Sequence, residues 1–110
     1  MVNKVIMIGN LTRAPEVRYT ANKGTPAARF GLAVNERYKS GDELKEETLF
    51  IEVECYGNLA KNIGEYGHKG MMVYVEGSLK KREWEQDGEK KFLYLILAEN
   101  IRYLKSKKEN

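Results

Sequence analysis

Residues 47–81 read ETLFIEVECYGNLAKNIGEYGHKGMMVYVEGSLKK, and they contain a helix pattern between two strand patterns. Alternating apolar residues predict the third strand of the chain over residues 47–56 and the fourth strand over residues 71–81. The intervening segment lacks this alternation and carries apolar residues at helical spacing. The order strand, helix, strand is therefore the first constraint on the fold.

The predicted helix is short and depends on its packing. Leu59, Ile63 and Tyr66 fall at positions i, i+4 and i+7, so they are expected to share one packed face. Asn58 can cap the helix, because its side chain can accept a bond from a free backbone N–H. Two glycines end the helix, Gly67 and Gly70. Such a short helix would not hold without tertiary contacts.

The sequence on either side adds three further strands. The first is predicted over residues 3–11, with an extended run at residues 16–19, and the second over residues 27–35. Asp87-Gly88 is a strong hairpin signal that leads into a fifth strand over residues 91–104. Five strands with one short helix between the third and fourth is the order of an OB-fold. We therefore predict an all-β, five-stranded OB-fold barrel, which commonly presents a strand face and loops to oligonucleotides or oligosaccharides.

Length and charge indicate one domain with a basic end. The chain has 110 residues, which suits a single domain that buries its own core. Residues 101–110 carry four cations and one anion, so the other 100 residues hold 15 of each sign. We predict an OB-fold domain over residues 1–104 and a disordered basic end over residues 105–110. Because the body is neutral, any basic site must be local.

Composition and motifs argue against an enzyme. Cys55 and His68 are the single cysteine and histidine, too few for an ordinary zinc site, and no disulfide can form within the chain. The sequence contains neither a phosphate-binding loop nor a nucleophile elbow. We expect no catalytic residues, no metal and no cofactor. The N-terminus has no secretory pattern and no apolar run could span a membrane, so a cytoplasmic protein is expected.

Aromatic residues beside cations point to an unpaired nucleic-acid strand. Trp84 follows Lys80, Lys81 and Arg82, a pattern that offers a base a stacking surface and phosphates a counter-charge. A duplex buries the faces of its bases, so exposed rings select single strands. At this point an exposed strand end with one packed aromatic ring explains Trp84 equally well.

Two further groups of residues strengthen this interpretation. Residues 37–45 are polar and predicted to form a long mobile loop, in which Tyr38 has Lys39 as a neighbour. Phe50 and Tyr56 lie an even number of residues apart on the third strand, so they face the same way. Packing in the core remains an alternative for both of these rings.

The first strand is apolar on both faces, which predicts assembly. Val5 and its alternate neighbours suit the core, whereas Ile6 and Ile8 would leave a lone barrel with an exposed apolar face. We predict that a second copy of the chain covers this strand. The predicted interface residues are Asn3, Val5, Ile6 and Ile8.

Motifs along the whole chain resemble the bacterial single-stranded DNA-binding proteins. NKVIMIGNL at residues 3–11 and PEVRY at residues 15–19 are similar to the opening of that family, and FGLAVNE at residues 30–36 to its second strand. The segment from residue 69 through the basic run to Trp84 resembles its fourth strand. The resemblance spans residues 2–104. It implies an OB-fold, a homotetramer built as a dimer of dimers, and sequence-tolerant binding of unpaired DNA in replication, recombination and repair, in association with the nucleoid.

The resemblance also assigns roles to individual residues. Stacking positions of the family are occupied here by Tyr38, Phe50, Tyr56 and Trp84. Cations that contact the DNA backbone in the family are matched by Arg18, Lys39, Lys69 and Arg82, which join Lys80 and Lys81 as expected phosphate contacts. Asn58 stands where a lysine is common and Ile51 where some members have a histidine. Family members usually end in an acidic, phenylalanine-ended tip that recruits replication and repair proteins, so such partners are expected only if the native gene product carries one.

Two other functions stay open on the sequence alone. One is an OB dimer like primosomal replication protein N, which acts mainly through protein contacts; the joint occurrence of four stacking candidates argues against it. The other is a substrate-binding OB domain of an RNA enzyme, against which the end-to-end resemblance counts. RNA binding itself stays possible, because stacking and phosphate contacts do not test the 2′-hydroxyl.

Overall fold

The computed structural model describes residues 1–21 and 24–105, in which six strands and one helix follow one another. Of the basic end predicted over residues 105–110, Lys105 is the last residue of the final strand, and residues 106–110 lie outside the described residues. The elements are β1 (Val5–Leu11), β2 (Glu16–Tyr19), β3 (Pro26–Ser40), β4 (Glu43–Tyr56), α1 (Asn58–Tyr66), β5 (Met72–Gln86) and β6 (Glu89–Lys105). The extended run at residues 16–19 is the short β2, so the predicted second to fifth strands are β3 to β6.

The strands form a closed barrel, which confirms the predicted all-β OB-fold. Their order is β1-β5-β6-β4-β3-β2, and β1 also pairs with β3, which closes the sheet on itself. All pairings are antiparallel except the one between β4 and β6. At the closure β1 passes close to β3, so that a Cβ at Gly9 would collide with the carbonyl oxygen of Ala33. Glycine is therefore required there by packing.

The barrel core follows the predicted alternation of β3. Ala28, Phe30 and Leu32 are buried, and Val34 packs against them. Every second residue of a strand points to the same side, so these four side chains line the barrel interior. They meet a core contributed by the other strands and α1, which includes Val53, Cys55, Ile63, Val73, Val75 and Ile96.

The structure corrects two details of the helix. Ala60 and Ile63 are its buried residues, with Leu59 packed beside them, whereas Tyr66 is 59% exposed. The packed face of the helix therefore does not include Tyr66, which was predicted to belong to it. The predicted cap is also wrong, because Gly57 precedes the helix with a φ of 66° and no side chain caps the first turn. A left-handed residue is tolerated there because it is glycine.

The predicted loop over residues 37–45 is wrong, because this segment is a β-hairpin. β3 and β4 pair without interruption from Ala27 and Tyr56 to Ser40 and Glu43. The turn consists of Gly41 and Asp42, and Gly41 has the positive φ of 67° that a two-residue hairpin turn requires. We name this β3–β4 hairpin, where it extends past the barrel, the first arm.

β5 and β6 form a second arm. Asp87 and Gly88 have φ values of 52° and 80°, which confirms the predicted tight hairpin. β4 and β6 pair only where Glu52–Glu54 meets Leu95–Leu97, so beyond this contact the two arms diverge. The fourth strand is longer than predicted, since it runs to Gln86.

Candidate nucleic-acid interface

The strand register defines one outer face that carries most of the predicted site. Side chains that are paired across neighbouring strands point to the same side of a sheet. Glu54 pairs with Arg29 of β3 and Leu97 of β6, on the side opposite to the core residue Val53. We call this side the outer face. It holds Arg29, Phe50, Glu52, Glu54, Tyr56, Lys80, Arg82 and Trp84.

Three of the four predicted stacking rings lie on the outer face and are accessible. Phe50 is 70% exposed, Tyr56 44% and Trp84 43%, which excludes core packing for Phe50 and Tyr56. The indole Nε1 of Trp84 donates to Oε1 of Gln86 at 3.4 Å, a contact at the edge of the ring. Partly exposed rings on one face of a sheet are what stacking on bases needs.

Tyr38 is not brought together with these rings. Tyr38 is half exposed and pairs with Lys45 across the first arm. This pair lies five residue pairs further along the arm than the pair formed by Ala33 and Phe50. Because the side of a strand alternates with each residue, Tyr38 lies on the opposite side of the arm. Lys39 has the same parity as Ala33, which pairs with Phe50, so Lys39 lies on the outer side.

Only some of the predicted cations lie on the outer face. Lys80 and Arg82 lie on the outer face, and Arg18 of β2 pairs with Ala27, which shares the side of Tyr56. Lys81 points to the other side of the second arm, where its Nζ lies 4.6 Å from the centre of the Phe92 ring. Lys69 is exposed in the turn between α1 and β5, where no strand register places it on the outer face.

Two carboxylates on the outer face were not among the predicted site residues. Glu54 is only 8% exposed and accepts hydrogen bonds from Arg29 at 2.8 Å and from Arg82 at 2.7 Å. Glu52 accepts two bonds from Arg13, at 3.0 and 2.9 Å. The partners lie 25 to 39 residues apart in sequence. The alternation of β4 alone could have placed both carboxylates beside Phe50 and Tyr56.

These contacts set the charge state of the face. Burial acts to raise the pKa of Glu54, but the hydrogen bonds from Arg29 and Arg82 outweigh it, so this pKa lies below its ordinary value. The hydrogen bond to Glu54 in turn raises the pKa of Arg82. Glu54 is therefore ionised at neutral pH and offsets part of the positive charge that the sequence assigned to this surface.

The remaining chemistry of the described residues is limited. Burial raises the pKa of the Cys55 thiol to about 12, so the thiol stays protonated and unreactive at neutral pH. In residues 1–21 and 24–105, no three His, Cys, Asp or Glu side chains are grouped as a metal site would require. Neither does this part of the chain contain a helix long and apolar enough to cross a membrane.

The predicted interface strand β1 presents two different sides. Ile6 is 55% and Ile8 49% exposed, whereas Val5 packs against the core. Asn3 holds the N-terminal segment to β5, because its side chain donates to the carbonyl of Leu79 and accepts from its N–H, both at 2.9 Å. Of the four predicted interface residues, the two isoleucines thus form the outward apolar surface.

Comparisons with known proteins assign this fold to a family. The model of the single-strand binding protein family matches residues 2–104, and the chain belongs to this family. The single-stranded DNA-binding protein of Aquifex aeolicus is 42% identical over 105 residues, covering 94% of this chain and 71% of that protein. The protein of the same name from Treponema pallidum is 40% identical, covering 96% and 59%.

A solved structure agrees with the family assignment. The Plasmodium falciparum SSB complex with ssDNA superposes with a TM-score of 0.87 at 30% identity, covering 94% of this chain and 96% of that one. The single-stranded DNA-binding protein of Helicobacter hepaticus is 42% identical over 109 residues and is covered over 64% of its length. The chain therefore spans about three fifths to seven tenths of the bacterial relatives named here.

Proposed function

We propose that this protein binds single-stranded DNA without catalysis and with little sequence preference, and thereby protects it in replication, recombination and repair. The observation that carries the proposal is the outer face, where Phe50, Tyr56 and Trp84 expose their rings on one side of the sheet. Stacking tolerates any base, because every base has a π-face. Membership of the single-strand binding protein family supports this function over a primosomal-protein-like interaction module.

Cations around these rings supply the proposed phosphate contacts. Lys80, Arg82 and Arg18 lie on the outer side of the barrel, and Lys39 extends this side along the first arm. In this proposal Tyr38 and Lys81 contact DNA only where the strand passes round an arm, since each points to the opposite side. Lys69 is kept as an outlying contact at the end of the barrel.

The proposal is tested by titrating the protein with oligo-dT of increasing length. Phe50→Ala should weaken binding by about 1–3 kcal/mol, the usual contribution of one stacked base. Tyr66→Ala is the matched control, because Tyr66 is another well-exposed ring, on α1 and outside the outer face. Equal losses for both variants, or no binding to oligo-dT of any length, would refute the proposed site. Oligo-rU in parallel separates a DNA from an RNA preference.

We further propose that the protein assembles through β1. Ile6 and Ile8 form an exposed apolar surface beside Tyr74 and Glu76 of β5, with which they are paired. Within the described residues, the other edge of β1 has no strand partner from Val5 to Gly9. An apolar face next to an open edge favours pairing with a second copy about a two-fold axis, and two such dimers would form a homotetramer.

The cellular setting follows from the same function. A DNA-binding protein of this kind is proposed to be cytoplasmic and associated with the nucleoid. Replication and repair proteins are proposed as partners only for a gene product that carries the family's acidic tip. The barrel, residues 1–104, is proposed to be the DNA-binding domain.

A further inference from the structure

Arg13 is held over the outer face, although it lies in a connecting segment and not in a strand. In this segment, between β1 and β2, the N–H of Thr12 donates to the carbonyl of Gly31 at 2.9 Å. The Arg13 guanidinium reaches Glu52 of β4, the residue that is paired with Gly31 of β3. A Cβ at Gly31 would lie 2.8 Å from Nη1 of Arg13, so the glycine leaves the space that the guanidinium occupies.

The ion pair between Arg13 and Glu52 fixes the plane of the guanidinium. Nη1 donates to Oε2 of Glu52 at 3.0 Å and Nη2 donates to Oε1 at 2.9 Å, so both carboxylate oxygens are held side by side. Two parallel hydrogen bonds of this kind set the orientation of the guanidinium as well as its position. Both bonds use the edge of the planar group, and the Arg13 side chain is still 38% exposed. A planar, partly exposed group is thus fixed on the outer face.

The pairing also decides which part of a DNA strand suits Arg13. The charges of Arg13 and Glu52 offset each other, so a phosphate that approaches the guanidinium meets a carboxylate of its own sign as well. The face of the guanidinium is not subject to this cost, because stacking on a base needs a plane and no net charge. Guanidinium planes are among the groups on which unpaired bases stack. Arg13 is therefore better suited to a base than to a phosphate.

The position of the pair lies between two exposed rings of the outer face. Glu52 follows Phe50 on β4 and precedes Tyr56, and all three residues point to the same side. Each residue of a strand advances it by about 3.4 Å, so along β4 Glu52 lies about 7 Å from Phe50 and the two rings lie about 20 Å apart. A DNA strand with one base on Phe50 and another on Tyr56 carries further bases across this interval. Arg13 offers them a flat group directly beside Phe50.

We propose that the Arg13 guanidinium is a fourth stacking platform of the outer face, which holds the base next to the one on Phe50. Glu52 acts as its positioning residue, because it fixes the plane. The ligand is one base of an unpaired strand, of any type, since every base has a π-face. The proposal rests on the proposed function and adds a platform that a search of the sequence for aromatic rings does not find.

The test removes the plane of Arg13 and keeps its charge. Arg13→Lys should weaken oligo-dT binding, measured by fluorescence anisotropy, by roughly fivefold to tenfold, the lower part of the range for one stacked base. On a strand of the same length in which every nucleotide is abasic, measured at low salt, the same substitution should have less than a roughly twofold effect, because no base remains to stack. Arg37→Lys is the matched control. Arg37 lies on the outer side of the first arm, but its Nε is 3.7 Å from Glu46, too far for a hydrogen bond that would fix its plane, so both affinities should stay unchanged.

A second comparison separates a platform from a residue that only positions Phe50. In a Phe50→Ala background, Arg13→Lys should still weaken oligo-dT binding by the same factor, because each platform holds its own base. If Arg13 acted only through Phe50, the second substitution would add nothing. Circular dichroism and urea denaturation verify the fold of each variant. If Arg13→Lys fails to fold, Arg13→Gln takes its place in both comparisons.

The outcomes separate the platform from the function. No binding of oligo-dT by the unmodified protein refutes the proposed function itself. Tight binding that Arg13→Lys leaves unchanged refutes the platform alone, as does a loss that persists on the abasic strand or disappears in the Phe50→Ala background. If the abasic strand binds too weakly to measure, the salt dependence of oligo-dT binding decides instead. Arg13→Gln should leave the slope of log affinity against log salt unchanged, whereas a slope shallower by about 0.7 would make Arg13 a phosphate contact and refute the platform.

Discussion

Replacing Glu54 by glutamine should separate the stability of the barrel from its affinity for DNA. Glu54 is 8% exposed and receives hydrogen bonds from Arg29 and Arg82 at 2.8 and 2.7 Å. Glutamine keeps the size and one acceptor oxygen but removes the charge, and its amino group faces a guanidinium. The variant therefore removes the ionic partner that two arginines of the outer face share, leaves them one acceptor oxygen, and weakens the contact between β3, β4 and β5.

The expected loss of stability follows from the geometry of these two bonds. A hydrogen bond to a charged group contributes about 1.5–3 kcal/mol, whereas an ion pair in water contributes about 0–1 kcal/mol. The side chains of Arg29 and Arg82 are 38% and 40% exposed, so solvent screening reduces the contribution of these charged hydrogen bonds. We expect the free energy of unfolding to fall by about 1–2 kcal/mol at neutral pH, measured by urea denaturation.

The pH dependence of this loss has a definite sign. The pKa of Glu54 in the folded protein lies below its ordinary value of 4.5. A depressed pKa stabilises the fold above the unfolded-state pKa, and this stabilisation disappears as the pH falls through the folded-state pKa. The difference between wild type and Glu54→Gln should thus be constant from neutral pH to about pH 5 and shrink below about pH 4.

Binding should change in the opposite direction. If Arg29 and Arg82 lie beside the DNA backbone, their release should tighten oligo-dT binding at low salt. The slope of log affinity against log salt should become steeper by about 0.7 for each additional phosphate that these arginines neutralise. Glu65→Gln, which removes one exposed carboxylate from α1, controls for the change in net charge. Weaker binding with an unchanged slope would refute this reasoning and would show that Glu54 instead positions Arg82 for its contact.

Three further measurements probe other parts of the structure. Trp84 is the only tryptophan, so its fluorescence should be quenched by oligo-dT, and Trp84→Ala should weaken binding by about 1–3 kcal/mol; emission unchanged at saturation would exclude stacking there. Ile8→Lys should break the proposed assembly and weaken binding to long DNA more than to short oligomers, whereas a wild-type monomer in sedimentation equilibrium at micromolar concentration would contradict it. Cys55 is buried with a pKa of about 12, so alkylation at pH 8 should proceed no faster than unfolding; rapid labelling of the native protein would show that the barrel opens locally.

The barrel could be predicted because its strands alternate and its turns are marked. Ala28, Phe30 and Leu32 alternate with more exposed neighbours, and Asp87-Gly88 is a turn that forces two strands together. The first arm has a turn signal in Gly41-Asp42 but no apolar alternation, because a strand that projects into solvent has no core-facing side to record in its sequence. It is held by backbone pairing and cross-strand contacts such as the hydrogen bond of 2.8 Å from Thr48 to Asn35.

The same distinction applies to the candidate site. Phe50 and Tyr56 share a face because they lie an even number of residues apart on one strand, which the sequence alone shows. The position of Tyr38 relative to Phe50 depends on the length of the turn between their strands. One additional residue in that turn would shift the strand register and bring Tyr38 to the same side as Phe50. The pairs that Glu54 makes with Arg29 and Arg82 join three strands, so they become visible only when the register of all three is known.

The paired charges of the outer face bear on how the proposed binding would select single strands. Arg29 and Arg82 share Glu54, and Arg13 is bound to Glu52, so this face is less basic than its arginines suggest. Duplex DNA offers phosphates but hides its base faces, and a face of low net charge gains little from phosphates alone. Unpaired bases can stack on exposed rings whatever the charge. Selection for single strands would therefore come from the rings, and the carboxylates would sharpen it by lowering the affinity for duplex.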